Sequence, residues 1–220
     1  MSAVLRQGCG SLLAGWLALA GGPAAAEGAA GSAAASAPVP EAAALAAQLA
    51  SRPHVRADFE QERRLRGFAA PLRSRGWMVL SRDYGLALHQ TEPFVMDLTI
   101  TDTFISQVLP GQSGQLLTAG SHPGVFRHGT LLRQLAAADL AALRQVCEVQ
   151  LTAPAADCWQ LRLTPRDDAL GRIFSAIEVS GGDYMHTILL HGAQGDDTII
   201  TLDHVTDLAP DDELRRYFER

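Results

Sequence analysis

Residues 76–93 read GWMVLSRDYGLALHQTEP and contain two apolar stretches that are separated by a polar turn. On each side of the turn, apolar side chains recur with a period of two, which is typical of strands with a buried face. The turn, Arg82 to Gly85, contains an aspartate and a glycine, which favour a tight reversal of the chain. The stretch therefore predicts two antiparallel strands, Gly76–Arg82 and Gly85–Gln90, joined by a short turn.

The same alternation continues on both sides of this stretch. It predicts further strands at Val55–Leu65, Phe94–Thr101, Phe104–Leu109, Cys147–Leu151, Cys158–Thr164, Phe174–Val179, Tyr184–His191 and Thr198–Val205. An amphipathic helix is predicted at Leu131–Val146, with Thr130 as its cap, and an Ala-rich helix at Glu41–Arg52. About ten antiparallel strands with two helical pieces indicate a mainly β fold. We expect an open (incomplete) antiparallel β-barrel, or strongly curved sheet, covered by an α-helical lid.

The N-terminal residues have the character of a targeting segment. Residues 1–26 combine one arginine, a short apolar run and small residues, which is typical of a secretory signal peptide cleaved near Ala26. An uncleaved membrane anchor is the alternative, but the apolar run is too short to span a bilayer. Residues 27–39 are expected to be a flexible Ala/Gly/Ser/Pro leader. Residues 40–220 are expected to form a single domain.

Composition narrows the class of protein. The chain has 220 residues, of which 47% are apolar and 19% are charged, and this suits one soluble globular domain. Its net charge of −6 at pH 7 lacks the basic excess that nucleic-acid binding usually needs. We therefore expect no nucleic-acid partner.

The familiar motifs of catalysis and metal binding are missing from the sequence. It contains no G-x-S-x-G, no H-E-x-x-H, no phosphate-binding G-x-x-x-x-G-K and no C-x-x-C. Asp203 and His204 are neighbours on a predicted strand, so their side chains point to opposite faces of the sheet. The sequence thus predicts no catalytic residues, no metal site and no cofactor.

Two cysteines follow the predicted signal peptide. Cys147 and Cys158 flank a candidate hairpin, and an exported protein meets an oxidising compartment, so a disulfide is chemically allowed. Alternation places Cys158 on the face opposite to Trp159 and so disfavours a regular cross-strand bond. A possible disulfide between Cys147 and Cys158 and two separate thiols both remain open.

Three short motifs occur in order along the chain: Phe59-Glu60-Gln61, residues 76–93, and residues 159–165, which read WQLRLTP. They resemble the F-x-Q opening, the glycine-to-proline hallmark segment and the L-x-P strand end of the LolA family, the periplasmic carriers of outer-membrane lipoproteins. The family's Arg-Pro pair is Arg82-Asp83 here, and its usual tryptophan falls at Leu88. These two departures are typical of a divergent branch of the family.

This resemblance implies a periplasmic location and a carrier function. An apolar trough would bind the acyl chains of a lipoprotein or another envelope lipid and move it from the inner membrane toward the outer membrane, with no chemical reaction. The residues expected to line the trough are Phe59, Leu65, Met78, Leu80, Met96, Leu98, Ile100, Trp159, Leu161 and Leu163. The residues expected on the lid are Leu131, Leu132, Leu135 and Leu143. Arg82 is implied to be the lid latch, which holds the empty trough shut.

The implied partners are an inner-membrane donor and an outer-membrane acceptor, and the carrier is expected to be a monomer. The cargo is left open between a lipoprotein, a glycolipid and a polyketide-derived lipid. Two other functions also stay open: an envelope interaction module with a filled core and, less favoured, a periplasmic hydrolase. For any one apolar residue, packing of the sheet against the helices is as consistent with the pattern as lining a trough.

Overall fold

The computed structural model describes residues 51–112, 114–118, 130–131, 133–135, 139–155 and 158–219. The predicted signal peptide, the predicted leader and residues 41–50 of the Ala-rich helix lie outside these ranges. Within them, no helix is long and apolar enough to cross a membrane.

Eleven strands and three short helices make up the regular structure of the described residues. The strands are β1 His54–Arg64, β2 Leu72–Ser81, β3 Gly85–Glu92, β4 Met96–Ile100, β5 Phe104–Val108, β6 Gln115–Thr118, β7 Cys147–Ala155, β8 Cys158–Pro165, β9 Phe174–Gly181, β10 Met185–Gly192 and β11 Asp197–Asp207. The helices are α1 Leu140–Val146, α2 Asp168–Gly171 and α3 Asp212–Arg216. Residues 130–131 and 133–135 are also helical.

The strands form one antiparallel sheet in the order β6-β5-β4-β3-β2-β1-β11-β10-β9-β8-β7. The chain therefore runs outward from the centre to one edge, crosses to the other edge, and returns to the centre, where β11 pairs with β1. Strands β6 and β7 are the two edges, so the sheet is not closed into a barrel. The predicted fold class, a mainly β open antiparallel sheet with few helices, is confirmed.

One face of the sheet, called the inner face below, carries a continuous cluster of buried apolar residues from strands β1 to β11. The strands place them there because successive side chains alternate between faces. In β8, for example, Trp159, Leu161 and Leu163 are buried, whereas Cys158, Gln160 and Arg162 are exposed. The inner face is thus an apolar surface that needs a cover.

Helical residues of the β6–β7 connection supply that cover. Leu131, Leu135, Leu140 and Leu143 are buried in the same cluster as the strand residues. The predicted single helix Leu131–Val146 is wrong at one point, because Asp139 is not helical. Its side chain accepts a hydrogen bond from the Ala142 backbone N–H at 3.0 Å and so caps α1, which begins at Leu140.

The opposite face, called the outer face below, is partly covered by the C-terminal residues. Leu214 of α3 and Phe218 pack on Val79 and Ala87, which point outward from β2 and β3. Asp211 caps α3 by accepting hydrogen bonds from the backbone N–H groups of residues 213 and 214. The sequence pattern did not predict this packing, nor did it predict β6 or α2.

Candidate functional site

The inner face brings together nearly all the residues that were expected to line a trough. Those that lie buried in its single cluster are Phe59, Met78, Leu80, Met96, Leu98, Ile100, Trp159, Leu161 and Leu163. The expected lid residues Leu131, Leu135 and Leu143 join the same cluster, and Leu132 lies outside the described residues.

Leu65 is placed differently from this set. The predicted strand ends one residue earlier, at Arg64, so Leu65 belongs to the turn that follows β1. Its side chain is half-buried and is not part of the inner-face cluster. Alternation no longer determines its direction once the strand has ended.

Strand register shows how the two halves of the sheet share the inner face. Met78 lies opposite Leu88 across β2 and β3, and Leu88 lies opposite Leu98 across β3 and β4. The halves meet at the centre, where Phe59 of β1 lies opposite Leu202 of β11. The result is one apolar surface that extends across the whole sheet.

Two polar side chains interrupt this surface near the turn that joins β1 to β2. Gln61 and Ser74 lie directly opposite each other across these strands, on the same face as Phe59 and Met78. The Gln61 Oε1 and Ser74 Oγ atoms are buried, and neither has a hydrogen-bond partner in the described part of the chain. A buried polar atom without a partner costs about 1–3 kcal/mol. The pair is therefore unfavourable for the stability of the isolated fold.

Other buried glutamines of the inner face do have partners. Gln90 donates from Nε2 to the Phe94 carbonyl oxygen at 3.0 Å, and Gln107 donates from Nε2 to the Met96 sulfur at 2.8 Å. Gln61 and Ser74 thus differ from these two glutamines, and within the described residues they share the lack of a partner only with the buried Nε atom of Arg133.

Arg63 occupies the next inward-facing position of β1 after Gln61. It is half-buried, and burial lowers the pKa of its guanidinium, while the nearby Asp196 carboxylate acts in the opposite direction. Asp196 also accepts a hydrogen bond from the Arg66 backbone N–H at 2.8 Å. An amide, a hydroxyl and a guanidinium therefore lie together on the inner face, and we call Gln61, Arg63 and Ser74 the polar patch.

Arg82, the predicted latch, lies at the opposite end of the sheet from the polar patch, in the turn between β2 and β3. It is half-buried, and its backbone N–H donates to the Pro53 carbonyl oxygen at 2.8 Å. Strand β6 ends at this same end of the sheet. Residues 119–129, which follow β6, lie outside the described residues.

Cys147 and Cys158 are separate thiols. Cys147 pairs with Pro165 at one end of the β7–β8 ladder, and Cys158 pairs with Ala155 at the other end. The ladder thus separates them by about seven residues of strand, roughly 23 Å, whereas the Cα atoms of a disulfide lie within about 7 Å. Of the two alternatives left open by the sequence, the disulfide is the one that the structure contradicts.

Each histidine in the described ranges lies beside a carboxylate rather than in a metal cluster. The pairs, at 2.6 to 3.7 Å between nitrogen and oxygen, are His54–Asp83, His89–Asp97, His186–Asp203, His191–Asp197 and His204–Asp58. Among the described residues, no group of three or more His, Cys, Asp or Glu side chains could hold a metal ion.

The outer face carries a groove of about 570 Å³ over β1, β2 and β11. Charged residues of the outer face make up most of its lining, and Gln61, Ser74 and Ile199 are among the other residues that border it. Glu62 accepts from Arg64 at 2.9 Å and from Arg73 at 3.2 Å, and these arginines, Arg64 first, lower the pKa of its carboxyl group. Arg75 donates to Glu92 in the same groove. These opposite charges neutralise each other locally, so the groove does not present one sign of charge to a ligand.

Fold and site together define a class: an open antiparallel sheet with one apolar face, a helical cover and a small polar patch at one end of that face. No family model matches the chain, and no curated protein matches it. Solved structures similar to it include a LolA superfamily protein from Nitrosomonas europaea, with 10% identity, a TM-score of 0.47, and coverage of 81% of this chain and 97% of that one.

Two further solved structures are similar to the chain. One is a DUF1329 family protein from Desulfovibrio piger, with 12% identity, a TM-score of 0.47, and coverage of 82% of this chain and 95% of that one. The other is a chain of the Pseudomonas aeruginosa MucA/MucB complex, with 18% identity, a TM-score of 0.44, and coverage of 79% of this chain and 59% of that one.

Proposed function

We propose that the protein is a periplasmic carrier that binds the acyl chains of a lipoprotein or another envelope lipid against the inner face and moves it from the inner membrane toward the outer membrane. The observation that carries this proposal is that the helical cover packs on the inner face through apolar side chains. Leu131, Leu135, Leu140 and Leu143 contact an apolar sheet face through apolar side chains. No chemical reaction and no cofactor are required.

An acyl chain can replace such a cover at little cost. A helix satisfies its backbone hydrogen bonds internally, so the cover is attached to the sheet mainly through side-chain packing. Burial of an acyl chain contributes about 0.8 kcal/mol per CH₂ group. A chain of ordinary length therefore compensates for the contacts that Leu135 and Leu143 lose when the cover moves.

Arg82 is proposed to be the latch of this cover. It lies at the end of the sheet where the β6–β7 connection begins, and the resemblance of residues 76–93 supports the role. We expect Arg82→Leu to leave the free energy of unfolding nearly unchanged and to slow the uptake or release of a fluorescent fatty acid. Arg172→Leu, an exposed arginine at the other end of the sheet, is the matched control. Transfer kinetics that are equal in both variants would contradict the latch.

The proposed path requires a donor at the inner membrane and an acceptor at the outer membrane, with the carrier acting as a monomer between them. The secretory character of residues 1–26 supports the location. Chemical cross-linking in the intact envelope should recover membrane proteins of both kinds.

Binding itself is tested on the protein purified from its host after mild extraction. Native mass spectrometry should show a bound lipid, and a fluorescent acyl probe should bind to the delipidated protein and be displaced by palmitate. A mass that corresponds to the protein alone, together with no binding of the probe, would overturn the carrier proposal.

A second candidate is an envelope interaction module whose interior is filled by its own side chains. The observation in its favour is the complete burial of Leu143, Leu163 and Ile177 within the cluster. This candidate expects the cover to stay closed and no acyl probe to bind. The probe experiment therefore separates the two functions.

A further inference from the structure

The polar patch lies at one end of the apolar inner face, beside the surface on which the acyl chain of a ligand would bind. Gln61 and Ser74 face each other across β1 and β2, and their buried oxygen atoms lack partners in the described residues. Two neighbours of the pair on the inner face are apolar: Phe59 precedes Gln61 on β1, and Ile200 lies opposite Gln61 on β11. A fold that selected only for packing would place an apolar side chain at these positions.

Arg63 adds a positive charge to the pair. Its side chain is half-buried at the next inward-facing position, and the carboxylate that acts on it, Asp196, is already hydrogen-bonded to the Arg66 backbone. The three side chains of the polar patch offer guanidinium and hydroxyl donors beside an amide that both donates and accepts. Acid oxygens are the ligand atoms that such a donor set binds best.

We infer that the polar patch is the binding site for the acidic head of an acyl ligand, whose carboxylate or phosphate oxygens accept hydrogen bonds from Arg63 and Ser74. This inference rests on the proposed carrier function and adds to it the chemical class of the ligand. The acyl chain extends from the patch along the inner face toward Met78 and Leu88. Gln61 contacts the junction between head and chain.

The test compares ligands that share one chain and differ in the head. Palmitate carries a carboxylate, hexadecyl phosphate carries a phosphate, and methyl palmitate has no charge. Each is titrated against a fluorescent acyl probe bound to the delipidated full chain, below its critical micelle concentration. We expect at least one of the two acids to bind about tenfold or more tightly than the methyl ester, which is the scale of a hydrogen bond to a charged group. The acid that binds better identifies the head.

Variants then locate the preference. Arg63→Gln and Ser74→Ala should each reduce the ratio between acid and ester severalfold, while the affinity for the ester stays the same. Arg73→Gln is the matched control, because it makes the same charge change on the outer face of the neighbouring strand. Thermal melting of Ser74→Ala should show no loss of stability, because the hydroxyl that it removes has no hydrogen-bond partner among the described residues.

The outcomes separate the two proposals. Equal binding of acids and ester by the wild type, or an equal loss of preference in Arg73→Gln and Arg63→Gln, would overturn the head-binding site and leave the carrier standing. Binding of none of the three ligands would overturn both proposals.

Discussion

At the scale of single residues, Gly76 of β2 leaves no room for a side chain beside β3. A Cβ atom at this position would lie 2.0 Å from the His89 carbonyl oxygen and 2.9 Å from the Gln90 Cα atom. Both neighbours are backbone atoms, so neither can rotate away. The register also shifts between Arg75 and Gly76, which is consistent with a bulge at this point.

Gly76→Ala is therefore expected to lower the free energy of unfolding by about 2 kcal/mol or more. Chemical denaturation measures the change. Gly171→Ala is the control, because a Cβ atom there would meet nothing within 4 Å and the variant should stay within about 0.5 kcal/mol of the wild type. Equal stability of the two variants would show that the β2–β3 contact is looser than the structure indicates.

The two thiols should differ strongly in reactivity. Burial raises the pKa of Cys147, and the thiolate is the form that reacts with alkylating reagents, whereas Cys158 is exposed. At pH 8 we expect iodoacetamide to label Cys158 much faster than Cys147, as followed by mass spectrometry of the peptides. Recovery of a peptide that joins the two cysteines, or equal labelling rates, would contradict this placement.

Alternation within strands predicted most of the inner face but not its exceptions. Phe59, Met78 and Leu163 are buried as predicted, because a strand fixes which side chains share a face. Leu65 lies outside the inner-face cluster, because its strand ends at Arg64, one residue earlier than predicted. The polar patch was not predicted, because polar side chains in a strand are usually exposed to solvent rather than placed on its buried face. The signal was available in Gln61 and Arg63, which follow Phe59 with the same period.

At the scale of elements, the C-terminal segment stabilises the outer face through very few residues. Leu214 is 1% exposed against Val79 and Ala87, and Tyr84 stacks on Phe218 with ring centroids 5.4 Å apart. Tyr217 makes an edge contact with Trp77. This segment therefore belongs to the folded unit.

Leu214→Ala is expected to lower the free energy of unfolding by about 2–5 kcal/mol, because it opens a cavity between α3 and the sheet. Urea denaturation with detection by tryptophan fluorescence measures this loss. Leu116→Ala, at a side chain of the edge strand β6 that is 46% exposed, should cost far less. If the leucine of α3 could be replaced at no greater cost than Leu116, the segment would not be packed on the sheet.

Helices were harder to predict than strands in this chain. Asp139 interrupts the predicted helix because its side chain hydrogen-bonds a backbone N–H group, which favours a helix start over a helix interior. Helix α3 has five residues, which is too short for an apolar period of 3.6 to be recognised. Strand β6 lies next to a stretch rich in Gly, Ser and Pro, which favours loops.

At the scale of the whole molecule, the order of the strands sets which parts are most protected. Strands β1 and β11 are central, whereas β6 is a four-residue edge strand. Backbone amides in the centre should open only with global unfolding, and amides at an edge should open locally. Hydrogen exchange measured by mass spectrometry should therefore be slowest in β1, β2 and β11. Exchange in β6 as slow as in β1 would contradict this order.

The fold class could be predicted from the sequence, but the central pairing of the sheet could not. Alternation and short turns indicate antiparallel neighbours, and they account for each strand pair that is joined by a turn. Nothing in the strand pattern indicates that Phe59 lies opposite Leu202, because the period of a strand defines its faces and not its distant partner.

This central pairing also dictates the order in which the chain can assemble. Strands β1 to β6 form one series of sequential neighbours, and β7 to β11 form another. Strand β1 can complete its second pairing only with β11, which lies about 140 residues later in the chain. Each half can form as soon as it has been synthesised. Part of the apolar face of each half stays exposed to water until β11 pairs with β1. Folding should consequently be limited by one late closure, at which the two halves of the sheet join.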